Sequence, residues 1–217
     1  MSKQRRKGFF LVFEGIDKCG KSTQIKLLAQ RWRQKGLPVV LTREPGGTPL
    51  GENIRQLLLD ARGDVSPEAE LFLYEASRAH HVSRVIGPAL RAGKIVLCDR
   101  FSLATLAYQA VGRGLPIKET AHLNTLAASG LVPDLTLVLD IPVKESVRRM
   151  AGTRDRMEAK TSFLQKVRAA YLCLAKTEPH IKVVNANRSL KEIHQNIFLI
   201  AENHPLLKAR APQGTNS

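Results

Sequence analysis

Residues near the N-terminus have the types and the spacing of a phosphate-binding loop. They follow the pattern G-x-x-x-x-G-K-[ST] and are Gly15, Ile16, Asp17, Lys18, Cys19, Gly20, Lys21 and Ser22. Glycines let the backbone curl so that successive N–H groups point at anionic oxygens, and the positive end of the following helix adds to the attraction. In this pattern the lysine reaches the β- and γ-phosphates of a nucleotide, and the final hydroxyl supplies one oxygen to Mg²⁺.

The segments on either side of the loop are those that the motif requires. The apolar run 9–13 predicts a buried strand before it, and the amphipathic stretch that opens with Thr23 predicts a helix after it. An ordinary glycine turn is the alternative, but such turns rarely lie between a strand and a helix. The sequence therefore predicts a nucleotide site in which the whole loop and Thr23 bind ATP.

Short apolar runs alternate with longer helical patterns along the chain. Consecutive apolar residues, typical of strands buried on both faces, occur at 9–14, 38–42, 94–99, 134–140 and 181–184. Helical spacing occurs at 21–35, 50–60, 66–92, 102–111, 117–129, 143–150, 159–176 and 190–202. The alternation predicts an α/β fold with three layers, a five-stranded parallel sheet flanked by helices.

Charged residues follow three of the predicted strands. Because ligands collect at the carboxyl ends of parallel strands, Glu14, Arg43, Asp99 and Arg100 are expected to line one crevice. Asp99 has the position from which an acidic residue acts on Mg²⁺ through water. Arginine grips phosphate without losing its proton, so Arg43 and Arg100 are candidate phosphate ligands. The alternative is that each only pairs with a nearby carboxylate, such as Glu44 for Arg43.

The formal net charge of +15 fits two classes of protein. One is a nucleic-acid-binding module, and the other is an enzyme whose substrates are polyanionic nucleotides. No stretch interleaves basic residues with stacking aromatics, as proteins that bind single strands do. We therefore expect nucleotide substrates and no nucleic-acid partner, with the basic cluster near the N-terminus a solvated tail.

Length and composition predict one domain in a reducing compartment. With 217 residues, we expect a basic tail at 1–8, a single phosphate-loop domain at 9–203 and a flexible tail at 204–217. No apolar run approaches the roughly 20 residues that cross a bilayer, and no secretory signal is expected. The cysteines have unrelated spacings and predict neither disulfides nor a zinc site, which fits the cytoplasm. They are Cys19, Cys98 and Cys173.

The order of several motifs resembles the thymidylate kinase family, which phosphorylates dTMP with ATP. The motifs are F-E-G-I-D-K-C-G-K-S-T, T-R-E-P-G-G-T followed by L-L-L-D, S-R-A-H-H-V, C-D-R-F and A-Y-Q-A-V-G-R-G. They run in order over nearly the whole chain. The resemblance implies a phosphate-loop kinase fold, Mg²⁺ as cofactor, dTDP and ADP as products in dTTP synthesis, and assembly as a homodimer.

The resemblance also assigns residues to dTMP. Counterparts of Arg43 and Arg100 hold the dTMP phosphate, and an acidic residue at the place of Asp17 accepts a hydrogen bond from the sugar 3′-hydroxyl. An aromatic residue at the place of Tyr74 stacks on thymine, and the counterpart of Arg78 binds the thymine O4. The family usually has phenylalanine at this aromatic position, and core packing is the alternative role for Tyr74.

A second helix completes the predicted base site. Thr105 and Tyr108 match positions that contact the base and crowd the 2′ position, which disfavours a ribonucleotide. A serine that is common in the family is Ala104 in this chain, and this difference bears on base selectivity.

The basic segment 148–158 corresponds to the family's lid, which closes over ATP. Arg149 matches a residue that stacks on adenine, while Arg154 and Arg156 are placed to meet phosphate oxygens; a solvated basic loop is the alternative. Members of the family use a basic residue in the phosphate loop or arginines in the lid, whereas this chain has both. We expect the lid arginines to dominate over Lys18, because a planar guanidinium matches phosphate geometry better than an ammonium.

The chemistry needs no histidine base. A phosphomonoester has its second pKa near 6, so the acceptor phosphate is already an anion at neutral pH, and His80 and His81 are expected to be packing or surface residues. Cys19, flanked by two lysines at a helix N-terminus, is a candidate reactive thiol, with inert burial as the alternative. Rival functions are another phosphate-loop kinase of nucleosides or nucleotides and a nucleic-acid-binding protein that retains the fold.

Overall fold

The computed structural model describes residues 8–59, 65–150 and 154–208, with the side chains of the last range described from residue 161 onward. A single five-stranded sheet forms its centre, and all of the strand pairs are parallel, in the order β2-β3-β1-β4-β5. The strands are β1 (Phe9–Glu14), β2 (Val39–Arg43), β3 (Ile95–Asp99), β4 (Leu135–Asp140) and β5 (Ile181–Asn185). The predicted five-stranded parallel sheet is confirmed.

Helices cover both faces of the sheet and give three layers. They are α1 (Lys21–Gln34), α2 (Pro49–Leu59), α3 (Pro67–His81), α4 (Gly87–Arg91), α5 (Ser102–Thr105), α6 (Ile117–Ala127), α7 (Val143–Arg148), α8 (Arg154–Leu174), α9 (Leu190–Glu202) and α10 (Pro205–Lys208). Wider π-helical turns continue α3 through Val82–Ile86 and α5 through Leu106–Gly112. In the described parts of the chain, no helix is both long and apolar enough to span a membrane.

Strand β1 is the most buried element because apolar side chains occupy both of its faces. Phe9, Leu11 and Phe13 pack in the core cluster that includes residues of α1, α8 and α9. Phe10 and Val12 point to the opposite face and pack in a second cluster with residues of α4 and β3. Burial on both faces explains why the predicted strands read as continuous apolar runs.

Capping residues set the helix starts where the sequence expects them. Ser66 accepts a hydrogen bond from the Ala69 N–H at 3.3 Å and Pro67 holds the first helical position of α3. A reciprocal pair of Ser189 and Glu192 begins α9 in the same way.

Three predicted boundaries differ from the structure. The predicted helix 66–92 is interrupted by a π-helical turn, and α8 begins at Arg154, whereas the sequence pattern predicted a start at 159. Leu207 of α10 is buried against the core, so the packed domain extends past its predicted end at 203. Residues 1–7 of the predicted tail at 1–8, residues 209–217 and the middle of the predicted lid lie outside the described residues.

Candidate active site

The phosphate loop joins β1 to α1 and has the curled backbone that its glycines permit. Gly15 has φ 132° and Gly20 has φ 100°, values that side chains disfavour. A Cβ on Gly15 would lie 2.5 Å from the Leu139 carbonyl oxygen. The buried Lys21 Nζ donates to the carbonyl oxygens of Gly15 and Ile16, both at 3.0 Å, so the lysine folds back over the loop.

Ser22, the phosphate-loop residue with a predicted role in metal binding, contacts the end of β3. The Ser22 hydroxyl donates to Asp99 Oδ2 at 2.8 Å, which places a hydroxyl and a carboxylate side by side at the phosphate loop. Hard oxygen ligands of this kind suit Mg²⁺, which usually takes few protein ligands and completes its shell with phosphate and water. Within the described ranges, no group of three or more His, Cys, Asp or Glu side chains forms a different metal site.

Arg100 follows β3 in a left-handed backbone conformation, with φ 73°. Its N–H donates to the Phe13 carbonyl at 2.9 Å, and this turn sends its side chain back toward the phosphate loop. The guanidinium donates from Nη2 to Asp17 Oδ1 at 2.6 Å and to the Tyr108 hydroxyl at 3.2 Å, and from Nη1 to the Tyr171 hydroxyl at 3.2 Å. Two of the predicted site residues, Asp17 and Arg100, are therefore in direct contact.

Arg43, at the end of β2, pairs with a carboxylate other than the one the sequence suggested. Its Nη2 donates to Glu52 Oε2 at 2.8 Å, and both side chains are substantially exposed, at 54% and 40%. Glu44 points into the protein instead and is buried. The hydrogen bond from Arg43, together with one from the Gly47 N–H, lowers the pKa of Glu52 below its usual value.

The residues around these groups form a phosphate pocket with several cations. Its lining is Asp17, Lys18, Lys21, Ser22, Arg43, Glu44, Arg55, Asp99, Arg100 and Met150. Arg55 is a residue that sequence reasoning missed, and its Nη1 donates to the Pro45 carbonyl at 3.2 Å. The polar T-R-E-P-G-G-T segment, with α2 directly after it, was the available signal for it.

A second pocket lies beside the phosphate pocket and contains the residues predicted to bind the base. Its lining is Asp17, Glu44, Pro45, Arg55, Leu58, Leu59, Tyr74, Arg78, Arg100, Phe101, Ala104, Thr105, Tyr108 and Gln109. Both pockets include Asp17, Glu44, Arg55 and Arg100, so they share a wall. The structure thus brings Tyr74, Arg78, Thr105 and Tyr108 together in one pocket. Burial raises the pKa of Tyr108 to about 12, so this phenol is neutral.

Arg78 is held by a buried hydrogen-bond network that includes its own helix α3, the loop after β2, α5 and α6. Its Nε donates to Glu44 at 2.9 Å, its Nη1 to Glu75 at 2.8 Å and to Asn124 Oδ1, and its Nη2 to Thr105 at 3.0 Å. Only 1% of Arg78 is exposed. Burial raises the pKa of Glu75, and the charge of Arg78 together with its hydrogen bond opposes that rise.

His81 extends this network and is fully buried. Its Nδ1 contacts Glu44 Oε1 at 3.0 Å, and its Nε2 contacts the Thr42 hydroxyl. His81 therefore packs in the interior, as expected, and also makes polar contacts. It helps to hold Glu44, and Glu44 in turn holds Arg78.

Glu14 ends β1, directly before the phosphate loop, and is completely buried. Its Oε1 accepts hydrogen bonds from the N–H groups of Phe101 at 2.8 Å and Ala104 at 3.2 Å, and its Oε2 accepts one from the Tyr171 hydroxyl at 2.8 Å. Burial raises the pKa of Glu14 to about 7, although Arg100 and these hydrogen bonds oppose the shift.

The other predicted ATP residues lie on or next to the loop. Arg149 Nη1 donates to the Lys18 carbonyl at 3.0 Å, while Ile16 is buried and Thr23 is exposed. Cys19 is 1% exposed, and this burial supports an inert side chain over a reactive thiol. Its sulfur accepts from Lys21 Nζ at 3.6 Å. The side chains of Arg154 and Arg156 lie outside the described residues.

Comparison with known proteins identifies the family. The model of the family described as thymidylate kinase matches residues 13–197. The chain belongs to the thymidylate kinase family. It is 49% identical to the thymidylate kinase of Pelotomaculum thermopropionicum, over 90% of this chain and 94% of that one. It is also 53% identical to the thymidylate kinase of Geotalea daltonii, over 79% of this chain and 85% of that one.

A solved structure agrees with the assignment. The crystal structure of thymidylate kinase from Ehrlichia chaffeensis matches with a TM-score of 0.76 and 34% identity, covering 89% of this chain and 98% of that one. The predicted family, fold and enzyme class are confirmed: the chain is an ATP-dependent nucleoside monophosphate kinase, a transferase. The reaction of its family is the phosphorylation of dTMP by ATP, which leads to dTTP.

Proposed function

We propose that the two joined pockets hold the substrates of this reaction with their phosphates facing each other. Thymidine would occupy the pocket around Tyr74 and Arg78, and the phosphate groups of ATP and dTMP would meet in the phosphate pocket. The observation that carries this proposal is the wall that both pockets share, which includes Asp17 and Arg100. Because the two pockets are adjacent, the base of one nucleotide can lie in one pocket while its phosphate lies in the other.

The cations of the phosphate pocket position and neutralise the phosphoryl groups. Phosphoryl transfer requires mainly alignment and charge stabilisation, and the acceptor phosphate is its own nucleophile. We assign Lys21 to the β- and γ-phosphates of ATP, and Arg43 and Arg100 to the dTMP phosphate. Arg55 joins this assignment, because it lines both pockets and is the only one of these arginines whose hydrogen bond in the described chain goes to a backbone carbonyl.

Base selection follows from how the donors of Arg78 are used. Arginine has five N–H donors: within the described chain, one from Nε goes to Glu44, two from Nη1 to Glu75 and Asn124, and one from Nη2 to Thr105. One Nη2 donor remains beside the pocket. A single donor suits the O4 of thymine, whereas the amino group of cytosine at the same place cannot accept it. Tyr74 and Tyr108 supply the aromatic faces, and Asp17 takes the sugar 3′-hydroxyl.

Mg²⁺ is the proposed cofactor, held by Ser22 and Asp99. The adjacent hydroxyl and carboxylate oxygens fit the ion, as described above. When bound, Mg²⁺ neutralises charge on the transferring phosphoryl oxygens. On the other side of the loop, we assign Arg149 to the adenine, and Arg154 and Arg156 to closure over ATP, with the lid arginines expected to outweigh Lys18.

Two further properties belong to the same proposal. Apolar side chains are exposed on neighbouring helices, with Phe72 of α3 at 58% and Leu126 of α6 at 70%, and a second copy of the chain is the partner we propose for this face. Three free cysteines fit a reducing cytoplasm. Sedimentation at micromolar concentration tests the dimer, and a Leu126→Lys variant should shift it to monomer.

A coupled ADP-release assay with a panel of acceptors tests the proposed site. We expect turnover with dTMP, reduced turnover with dUMP, which keeps O4 but lacks the methyl group, and little with dCMP. An Arg78→Lys variant keeps the positive charge but removes the fork that meets Glu44 and Glu75, so it should lose dTMP binding. Comparable rates for dCMP and dTMP in the unaltered protein would contradict the assignment of Arg78.

A further inference from the structure

Glu14 is a buried charged side chain that the proposed roles leave unused. It lies at the end of β1, directly before the phosphate loop, and none of its surface is exposed. A carboxyl group in such a place loses its hydration, so its hydrogen bonds determine what it can do. All three partners of Glu14 belong to segments that carry substrate-binding residues or contact them.

One oxygen of Glu14 holds the backbone that follows Arg100. Oε1 accepts from the N–H groups of Phe101 and Ala104, which stand at the start of α5. Arg100 itself is in the left-handed region and is fixed on its other side by its N–H bond to the Phe13 carbonyl. The N–H of Arg100 and the N–H of the next residue, Phe101, are thus both hydrogen-bonded to residues of β1.

The other oxygen of Glu14 reaches the guanidinium of Arg100 through a tyrosine. Tyr171 of α8 donates its hydroxyl proton to Glu14 Oε2 at 2.8 Å, and the same hydroxyl oxygen accepts from Arg100 Nη1 at 3.2 Å. Because a hydroxyl has a single proton, its donation to Glu14 turns the lone pairs of Tyr171 toward Arg100.

We propose that Glu14 is a positioning residue that orients Arg100 toward the acceptor phosphate by fixing the proton of Tyr171. The proposal rests on the assignment of Arg100 to the dTMP phosphate. Ionised Glu14 accepts on both oxygens, and Tyr171 then accepts from Arg100. A protonated Glu14 has one oxygen that must donate, so Tyr171 turns its proton elsewhere and competes with the guanidinium. The orientation of Arg100 therefore depends on the ionisation of a group that does not touch substrate.

The surroundings of Glu14 place this change in the neutral pH range. The titratable and charged groups that face it are Tyr171 on α8, Arg100 after β3, Lys21 on α1 and Cys98 on β3. Burial is the largest influence and raises the pKa to about 7, while Arg100, the Phe101 N–H, the Tyr171 hydroxyl and Lys21 lower it.

Three variants test the connection by steady-state kinetics. Tyr171→Phe removes the hydroxyl and leaves the backbone bonds of Glu14, whereas Glu14→Gln keeps an acceptor for those bonds and loses the acceptor for Tyr171. Each should raise the KM for dTMP about fivefold to tenfold, the effect of one hydrogen bond, and leave the KM for ATP within about twofold. The double variant should be no worse than either single one, because both remove the same connection.

Asp140→Asn is the matched control, because Asp140 also ends a strand and ties it to α8. Its oxygens accept from Arg168 at 2.6 and 2.8 Å, outside both substrate pockets. This variant should leave both KM values unchanged. A similar rise in the KM for dTMP here would mean that any loosening of α8 has the effect, and it would overturn the role of Glu14.

The pH profile gives a second measurement that a structural role alone would not move. In the unaltered enzyme, kcat/KM for dTMP should fall as the pH drops through about 7. In Glu14→Gln the fall should move toward 6, the pKa of the substrate phosphate. Identical profiles would overturn the proposal. If Glu14→Gln does not fold, the Tyr171→Phe variant decides, and an unchanged KM for dTMP in that variant rejects the connection.

Arg100→Ala separates this inference from the role on which it rests. A large loss of dTMP binding in Arg100→Ala with an unaffected Tyr171→Phe variant rejects only the Glu14 connection. Normal dTMP kinetics in Arg100→Ala reject the assignment of Arg100 itself.

Discussion

Arg78 lies in the pocket that we propose binds the base, called the base pocket from here on, and Arg43 lies in the phosphate pocket. Both arginines face carboxylates, but the two pairs have different surroundings. Arg78 is 1% exposed and bound by Glu44, Glu75, Asn124 and Thr105. The Arg43 side chain is 54% exposed, with Glu52 as its carboxylate partner among the described residues. Arg78 is thus fixed in the absence of substrate, whereas Arg43 is in a pair that solvent already weakens.

The difference teaches how the site treats the two ends of a nucleotide. A base is neutral and is selected by shape and by single hydrogen bonds, which a rigid pocket provides best. A phosphate brings charge that can replace a carboxylate beside an arginine, so Glu52 and Asp17 hold Arg43 and Arg100 in the absence of that charge. In the proposed function, the base pocket would contribute mainly selectivity, and the phosphate pocket would contribute mainly charge stabilisation.

The largest expected effect comes from the same substitution made in both regions. Arg78→Leu leaves two buried carboxylates without their cation and should lower the free energy of unfolding by about 3–5 kcal/mol. Arg43→Leu removes an exposed ion pair and should lower it by less than about 1 kcal/mol. Denaturant unfolding monitored by circular dichroism measures both values. Equal losses would mean that the two arginines do not differ as their surroundings indicate.

Removal of Arg100 tests the phosphate pocket by kinetics. Arg100→Ala should reduce kcat/KM for dTMP by about 10²–10³-fold, because it removes a donor that stabilises transferring charge. Arg113→Ala is the control, since Arg113 also pairs with a carboxylate, Glu70 at 2.7 Å, but lies outside both pockets. A loss of less than about tenfold in Arg100→Ala would place the phosphate elsewhere.

Glu14, at the end of β1, should make the free energy of unfolding depend on pH. Its pKa of about 7 in the folded protein exceeds the ordinary value of 4.5, so the folded state binds the proton more tightly than the unfolded chain. The stability contributed by this proton is complete below pH 4.5 and is lost as the pH rises through about 7, by roughly 3 kcal/mol. The free energy of unfolding should be measured from pH 5 to 8 for the unaltered protein and for Glu14→Gln. It should fall with rising pH through this contribution in the unaltered protein only. Parallel curves would contradict the raised pKa.

The smallest effect is expected where a carboxylate holds an exposed arginine. Glu52→Gln weakens the pair with Arg43 and should lower the KM for dTMP by about twofold to fivefold, since the phosphate no longer competes with a negative charge. Initial rates at saturating ATP measure this change. An increase in KM would show that Glu52 supports the active position of Arg43.

Much of the fold follows from sequence patterns because the strands are buried on both faces. The run Phe9–Glu14 is found as predicted, and the strand ends place the phosphate loop and Arg100 at one edge. The wider turns at Val82–Ile86 and Leu106–Gly112 had no sequence signal, since spacing alone does not distinguish them from an α-helix.

Contacts between distant segments explain what sequence reasoning missed in the site. Arg55 lies on the helix that follows the T-R-E-P-G-G-T segment, but that motif does not say which side chains of α2 face the pockets, and only the packing of α2 brings Arg55 to both of them. The partner of Arg43 is Glu52 rather than the adjacent Glu44, because Glu44 is turned inward by Arg78 and His81. Adjacency in sequence therefore did not predict which carboxylate pairs with Arg43.

The π-helical segment Leu106–Gly112 makes the length of this helix as important as its composition. Such a turn accommodates one residue more than an α-turn. In a regular α-helix one extra residue turns everything after it by about 100°, so the wider turn absorbs that residue and keeps Arg113 beside Glu70 on α3. A further residue inserted here would have no second wide turn to absorb it and would carry Arg113 away from Glu70.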